Sequence, residues 1–277
     1  MRKALCLDIG GTNLRCALIN ENYEIEKVII KNTLNSTVDV FLNQVSEIIS
    51  EVGVNEDVVA ISMGVPGQVR WDGFVMELPN IGIKSIPLAE YINNKFHKTA
   101  YVKNDAVMAA LAEGCLGDGK NYDSCFFMTI STGLGGALVR DGKIVVPSDE
   151  IGHTLIKYND KYYEFEKLNS GRYLVDLCAM NDLYVLSAKE FFELKSKGDE
   201  KALKVYEIWI NNLTNLIQFI RHYLDAKILV LTGGVLKSKE HFLDDLIARN
   251  QNIKISTAKF DQTAGLIGAA YYSFNPQ

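Results

Sequence analysis

The chain has 277 residues, 48% of them hydrophobic and 23% charged, and a formal net charge of −5. That suits a globular protein of one large domain or two lobes with a sizeable core, and the acidic balance gives no footing for nucleic acid or an anionic membrane. Five scattered cysteines without a C-x-x-C pair argue against a disulfide framework and a cysteine zinc site, no apolar run nears the roughly 20 residues that span a bilayer, and no signal peptide is read, so a soluble cytoplasmic protein is expected.

Residues 3–19 read as an apolar strand, a glycine turn and a second apolar strand. Ala4, Leu5, Cys6, Leu7 and Ile9 suit a strand covered on both faces. Gly10 and Gly11 let the backbone turn sharply and leave its N–H groups uncovered, beside the Thr12 hydroxyl and Asn13. Such groups suit a phosphate chain, and Asp8 at the strand end suits a metal-bound water. A plain hairpin turn uses the same residue types.

A third strand is expected over 24–32. Ser36 then caps a helix with Val38, Phe41, Val45, Ile48, Ile49 and Val52 on one face, which Gly53 ends. Residues 58–64 form a buried strand before the turn Val65-Pro66-Gly67. A short hairpin over 69–80 leads to a loop at Leu78-Pro79-Asn80. A helix over 87–96 and a strand over 99–103 bring the chain to Asn104-Asp105, where an alanine-rich buried helix, 106–116, begins.

Residues 124–130 form another apolar strand. It meets the turn Ser131-Thr132-Gly133-Leu134-Gly135-Gly136 and returns as a strand over 137–140. This repeats the opening architecture, so one phosphate-gripping unit duplicated explains it, with two unrelated hairpins as the alternative. Glu150, Gly152 and His153 follow, and the polar, aromatic stretch 158–171 reads as a loop. Helices are expected over 173–186 and 188–194. A long amphipathic helix over 200–225 has Leu203, Tyr206, Trp209, Leu213, Leu216, Ile217, Ile220 and Leu224 on its apolar face. A buried strand over 227–232 ends in Gly233-Gly234. A helix or pair around 241–247, a strand over 253–259 and a small-residue helix over 263–272 complete the chain.

Three groups could carry chemistry. Asp105, at a helix start beside the Asn104 amide, could accept a proton from a bound hydroxyl, although either residue could simply cap the helix. The helix N-terminus favours its ionised form and lowers its basicity. Glu150 and His153 together suit vicinal hydroxyls of a sugar, one accepting and the other donating, and also suit an ordinary surface loop. Gly233-Gly234 at a strand's C-terminal end makes a floor for an adenine or ribose, or a plain turn into a helix.

In order, Asp8-Ile9-Gly10-Gly11-Thr12-Asn13, Gly64-Val65-Pro66-Gly67, Asn104-Asp105, Ser131-Thr132-Gly133-Leu134-Gly135-Gly136, Glu150-Ile151-Gly152-His153 and Thr232-Gly233-Gly234-Val235 resemble the motifs of the ROK family of sugar kinases and related repressors, over essentially the whole chain. The resemblance implies an α/β, two-lobed actin/hexokinase-like ATPase fold with duplicated ribonuclease H-like domains. Residues 1–105 with about 262–277 would make the smaller lobe and 106–261 the larger, with nucleotide and sugar in the cleft. It implies that Asp8 holds magnesium through water and that Gly10, Gly11, Thr12 and Asn13 cradle the outer phosphates of ATP. Thr132 and Gly133 would form a second phosphate loop, and Gly233 and Gly234 would border the adenosine. Asp105 would be the general base. Gly67, Asn80, Asn104, Asp105, Glu150, His153 and Glu166 would line the sugar site.

The family's usual structural zinc, held by the Glu-x-Gly-His histidine and three downstream cysteines, has no counterpart, because no cysteine lies between Cys125 and Cys178. No zinc is expected, and packing of Tyr162, Tyr163 and Phe165 would shape the loop instead. The expected activity is ATP- and magnesium-dependent phosphorylation of a hexose. A glucokinase-type 6-hydroxyl comes first; N-acetylmannosamine, N-acetylglucosamine, fructose or allose are alternatives. A homodimer is implied by resemblance alone. A non-catalytic sugar sensor and an actin-like filament ATPase are the competing classes. The repressors' DNA-binding segment has no counterpart before the first strand.

Overall fold

The computed structural model describes residues 1–34, 37–79, 81–145, 151–158 and 160–277. It divides into two compact units, residues 1–116 with 260–277, and residues 117–259.

The first unit is built on a five-stranded sheet. Strands β1 (Lys3–Ile9), β2 (Asn13–Asn20) and β3 (Ile25–Asn32) form an antiparallel meander. Helix α1 (Val38–Val52) leads to β4 (Val58–Val65), which pairs parallel to β1. A small pair, β5 (Val75–Leu78) with β6 (Ile83–Ile86), precedes α2 (Leu88–Phe96) and β7 (Thr99–Asn104), parallel to β4. Helix α3 (Asp105–Cys115) and the C-terminal helix Ala264–Phe274 pack on each other and on β4. They meet so closely at Gly268 that a Cβ there would run into the Met108 carbonyl. Leu5, Leu7 and Ile9 join Phe41, Ile48 and Ile92 in one fully buried core, which the 3.6-residue spacing of α1 predicts.

The second unit repeats this plan. Strands β8 (Ser124–Ile130), β9 (Leu134–Arg140) and β10 (Lys143–Val145) form the antiparallel part. A hairpin, β11 (Leu155–Tyr158) with β12 (Lys161–Glu164), and four helices follow: α4 (Glu166–Asn169), α5 (Gly171–Ala179), α6 (Ala188–Ser196) and α7 (Glu200–Tyr223). Strand β13 (Ile228–Thr232) then pairs parallel to β8, a short 3-10 segment and α8 (Leu243–Arg249) intervene, and β14 (Lys254–Thr257) pairs parallel to β13. The two sheet orders, β3-β2-β1-β4-β7 and β10-β9-β8-β13-β14, are the same topology. This is the expected α/β fold, and the repeat of strand, glycine turn and strand belongs to a repeat of whole sheets.

Several expectations change. The unit boundary lies after Leu116 rather than at Asp105, because α3 packs with the C-terminal helix of the first unit. Thr37 caps α1 by accepting from the Val40 N–H; Ser36 lies outside the described residues. Gly135 and Gly136 are not turn residues but strand residues of β9. A Cβ at Gly136 would sit 2.5 Å from the Phe126 ring, so this glycine serves packing. Within 158–171 the hairpin and α4 replace the expected loop. Each strand of the hairpin is only four residues long, and β12 does not alternate in burial, so no two-residue period stands out. Helix α5 ends at Ala179 instead of running to Leu186, which is 94% exposed, and Leu203 of α7 faces solvent.

Candidate active site

In the first unit β1 ends at Ile9 and the chain turns through Gly10, Gly11 and Thr12. The Gly10 N–H donates to the Asn13 carbonyl (2.8 Å), while Thr33, just past β3, fastens the turn from outside: its N–H donates to the Thr12 carbonyl (2.9 Å) and its hydroxyl to that of Gly10 (2.7 Å). Asp8 lies two residues before this turn's start, on β1 against Arg15 of β2. Its carboxylate is 3.6 Å from the Arg15 guanidinium, which is itself held by the Gln262 carbonyl (2.8 Å). Burial raises the Asp8 carboxyl above its usual range, with Arg15 opposing. Gly265, in the first turn of the C-terminal helix, comes so near that a Cβ there would be 3.2 Å from this carboxylate.

Asn104 and Asp105 stand where β7 passes into α3. Asn104 caps the helix, its side-chain oxygen accepting from the N–H groups of Ala106 (2.9 Å) and Val107 (3.3 Å). Its amide nitrogen donates to the Gly67 carbonyl (3.1 Å), so it also ties the Val65-Pro66-Gly67 turn to the start of α3. Gly67 needs to be glycine: its φ is +91°, and a Cβ would meet the Glu77 carbonyl. Asp105 accepts from the Ala106 N–H (2.8 Å). Its carboxyl is pushed up to about 6, chiefly by burial and further by the Asp8 charge, against the pull of the Ala106 N–H. This reverses the expected lowering by the helix N-terminus: desolvation outweighs the terminal N–H groups at this site. A carboxylate so tuned is still ionised at neutral pH and is a stronger base than an exposed aspartate.

In the second unit the turn between β8 and β9 is Ser131-Thr132-Gly133, closed by the Ser131 N–H on the Gly133 carbonyl (2.9 Å). The Gly171 N–H, at the start of α5, donates to the Ser131 carbonyl (2.7 Å). Glu166 accepts from the Leu134 N–H (3.0 Å), and a Cβ on Gly133 would be 2.5 Å from the same carboxylate oxygen. Glu166, expected among sugar contacts, is therefore fastened to the second glycine turn. Gly233, φ +104°, passes so near the end of β8 that a Cβ would hit the Ile130 carbonyl; Gly234 has open space. Thr132 and Gly234 border a cavity of about 610 Å³, a size suited to a small ligand, with Arg172, Lys189, Lys237, Glu193 and Glu240 also in its lining. The walls from α5 and α6 were not read from the sequence. Their one signal there is Gly171, which the Ser131 carbonyl crowds.

His153 ends a short 3-10 turn, and its Nδ1 is 3.0 Å from Glu164 Oε1 of β12. Asn80 and Glu150 lie outside the described residues. Asp8 beside the first turn fits a magnesium ion held through water and phosphate oxygens. The described side chains around His153 offer a zinc ion one carboxylate and no thiolate. Glu164 is the carboxylate beside it, all five cysteines lie elsewhere in the chain, and among the described residues no three His, Cys, Asp or Glu side chains cluster. Of the three aromatic residues expected to shape this loop, Phe165 is buried and Tyr163 packs against the core, but Tyr162 is 70% exposed.

The chain is 25% identical to the glucokinase of Thermotoga maritima over 266 residues, covering 86% of this chain and 84% of that one. It is 30% identical to an N-acetylmannosamine kinase of Haemophilus influenzae over 291 residues, covering 98% and 95%. The crystal structure of a ROK family glucokinase from Streptomyces griseus in complex with glucose and AMPPNP shares the fold, with a TM-score of 0.73 at 22% identity, covering 97% of this chain and 98% of that one. The ROK family model matches residues 4–274, and the chain belongs to that family.

Proposed function

We propose that this chain is an ATP-dependent sugar kinase that transfers the γ-phosphoryl group to a hexose hydroxyl. The observation that carries the reading is Asp105: a largely buried carboxylate at the start of α3, pushed up to about 6, beside the Asn104 amide and near Asp8. That is the setting of a general base. Asp105 would take the acceptor hydroxyl's proton as its oxygen bonds to the γ-phosphorus and the bond to the departing ADP oxygen breaks. Asn104, Gly67, Asn80, Glu150, His153 and Glu166 would orient the acceptor. Glycines 10 and 11, Thr12 and Asn13 would hold the outer phosphates, with Thr132 and Gly133 as the second grip. The second unit's cavity, floored by Gly234 and reached by Gly233, would take the adenosine. Asp8 would hold magnesium, which when bound offsets phosphate charge. Exclusion of water from the acceptor would suppress ATP hydrolysis.

Glucose, phosphorylated at its 6-hydroxyl, is the first acceptor proposed. N-acetylmannosamine is the second, supported by 30% identity to a kinase of that name. An ADP-release assay with magnesium and a panel of glucose, mannose, fructose, allose and the N-acetylated hexosamines tests both. One sugar is expected to stimulate release, and Asp105→Ala to abolish it. If no sugar stimulates release although sugars bind, the non-catalytic sensor replaces this reading.

A further inference from the structure

We propose that Glu164 is a positioning residue for His153, and that their carboxylate–imidazole pair orients this ring without a metal. The proposal rests on the sugar-kinase reading above, in which His153 contacts the acceptor.

The backbone on both sides of the pair is fixed. Gly152 is pressed against the start of β9, since a Cβ there would run into the Leu134 carbonyl. The hairpin holds Glu164 opposite Leu155, two residues past His153, and the Phe165 N–H extends the ladder to the Thr154 carbonyl (2.9 Å). Ile156 and Tyr163 pack inward against the second unit's core, and Phe165 is 5% exposed, so the hairpin is anchored on one face. Glu164 then offers Oε1 to His153 Nδ1 at 3.0 Å, while Oε2 lies 3.8 Å from the Lys167 ammonium. A carboxylate can only accept, so the proton of this bond sits on Nδ1. A zinc on Nδ1 would displace that proton and break this bond. The pair therefore sets where the ring stands.

Steady-state kinetics of the full chain, with the sugar it turns over best, test this. Glu164→Ala is expected to raise the sugar KM about 5- to 20-fold, with kcat and the ATP KM within about twofold. Glu164→Gln, whose amide oxygen still accepts from Nδ1–H, is expected to stay within about threefold of wild type. The double variant His153→Ala/Glu164→Ala is expected to match His153→Ala. Dialysis against a zinc chelator is expected to leave the sugar KM and Tm unchanged. A Glu164→Ala sugar KM within twofold of wild type, while His153→Ala raises it, overturns the positioning role alone. An unchanged sugar KM in His153→Ala overturns the sugar contact instead. Equal damage from Gln and Ala, or a sugar KM that depends on zinc, overturns the metal-free pair. Should Glu164→Ala not fold, the Gln variant and the chelator arm decide: a tenfold rise in the Gln variant, or zinc dependence, overturns the proposal.

Discussion

The two glycine turns occupy the same place in two sheets of one topology, yet their surroundings differ. In the first, Asp8 on β1 pairs with Arg15 of β2 two residues before the turn begins; in the second, the same position on β8 is Thr129, paired with Gly135. The first turn has two carboxylates near it, Asp8 and Asp105, close enough that one raises the other's proton affinity. The second turn has no carboxylate on its strand. Glu166 comes to it from α4, and a roomy cavity lined by both basic and acidic side chains lies beside it. A tight turn closed by its own first N–H, Gly10 on the Asn13 carbonyl and Ser131 on that of Gly133, recurs in both places. The charge around it is divided: Asp8, Arg15 and Asp105 gather at the first turn, and the cavity lies beside the second.

The most severe way to break this division is Asp105→Ala. The expected loss in kcat is on the order of 10²–10⁴, with nucleotide affinity nearly unchanged by calorimetry. Retention of more than about a tenth of wild-type turnover would move the base elsewhere. Converting the first turn's strand to the second's, Asp8→Thr, is expected to lower kcat on the order of 10²-fold and to raise the magnesium needed for half-activity. If magnesium dependence is untouched, Asp8 is not the metal's holder.

The pH dependence follows from the same carboxyl. With a value of about 6 for Asp105, kcat/KM for the sugar should be flat above pH 7 and fall about tenfold per pH unit below 6. The stability effect runs the other way. Asp105 binds its proton more tightly folded than unfolded, where the usual value is 3.8. Relative stability from this group is therefore complete below that value and lost as pH rises through about 6. Asp105→Asn should then unfold at a higher denaturant concentration than wild type at pH 8, by about 1–3 kcal/mol, and show no such advantage at pH 4. An equal difference at both pH values would mean that packing, not charge, accounts for it.

Smaller effects probe the second turn. Gly133→Ala pushes a methyl toward the Glu166 carboxylate that receives the Leu134 N–H, and is expected to raise the ATP KM about tenfold. An unchanged ATP KM would remove this turn from the nucleotide site. Gly265→Ala presses only on the Asp8 carboxylate, a movable side chain, and about a two- to fivefold loss of kcat is expected.

Much of this was legible from residue order. Short, largely apolar runs that end at glycine turns, such as 124–130, suit strands covered on both faces. The 3.6-residue spacing of Phe41, Val45, Ile48 and Val52 fixes α1, and Asp8, Asn104-Asp105 and the glycine turns fall at element ends as their types require. These are local or periodic properties, which sequence carries directly. Distant atoms decided the rest. That Gly136 serves the Phe126 ring rather than a phosphate depends on a neighbouring strand. That Glu166 reaches the Leu134 N–H and Glu164 reaches His153 depends on where a short hairpin folds back. And the proton affinity of Asp105 could not be had from its place at a helix start. The helix end alone lowers it, and only burial, with Asp8 brought near by the sheet, raises it to about 6.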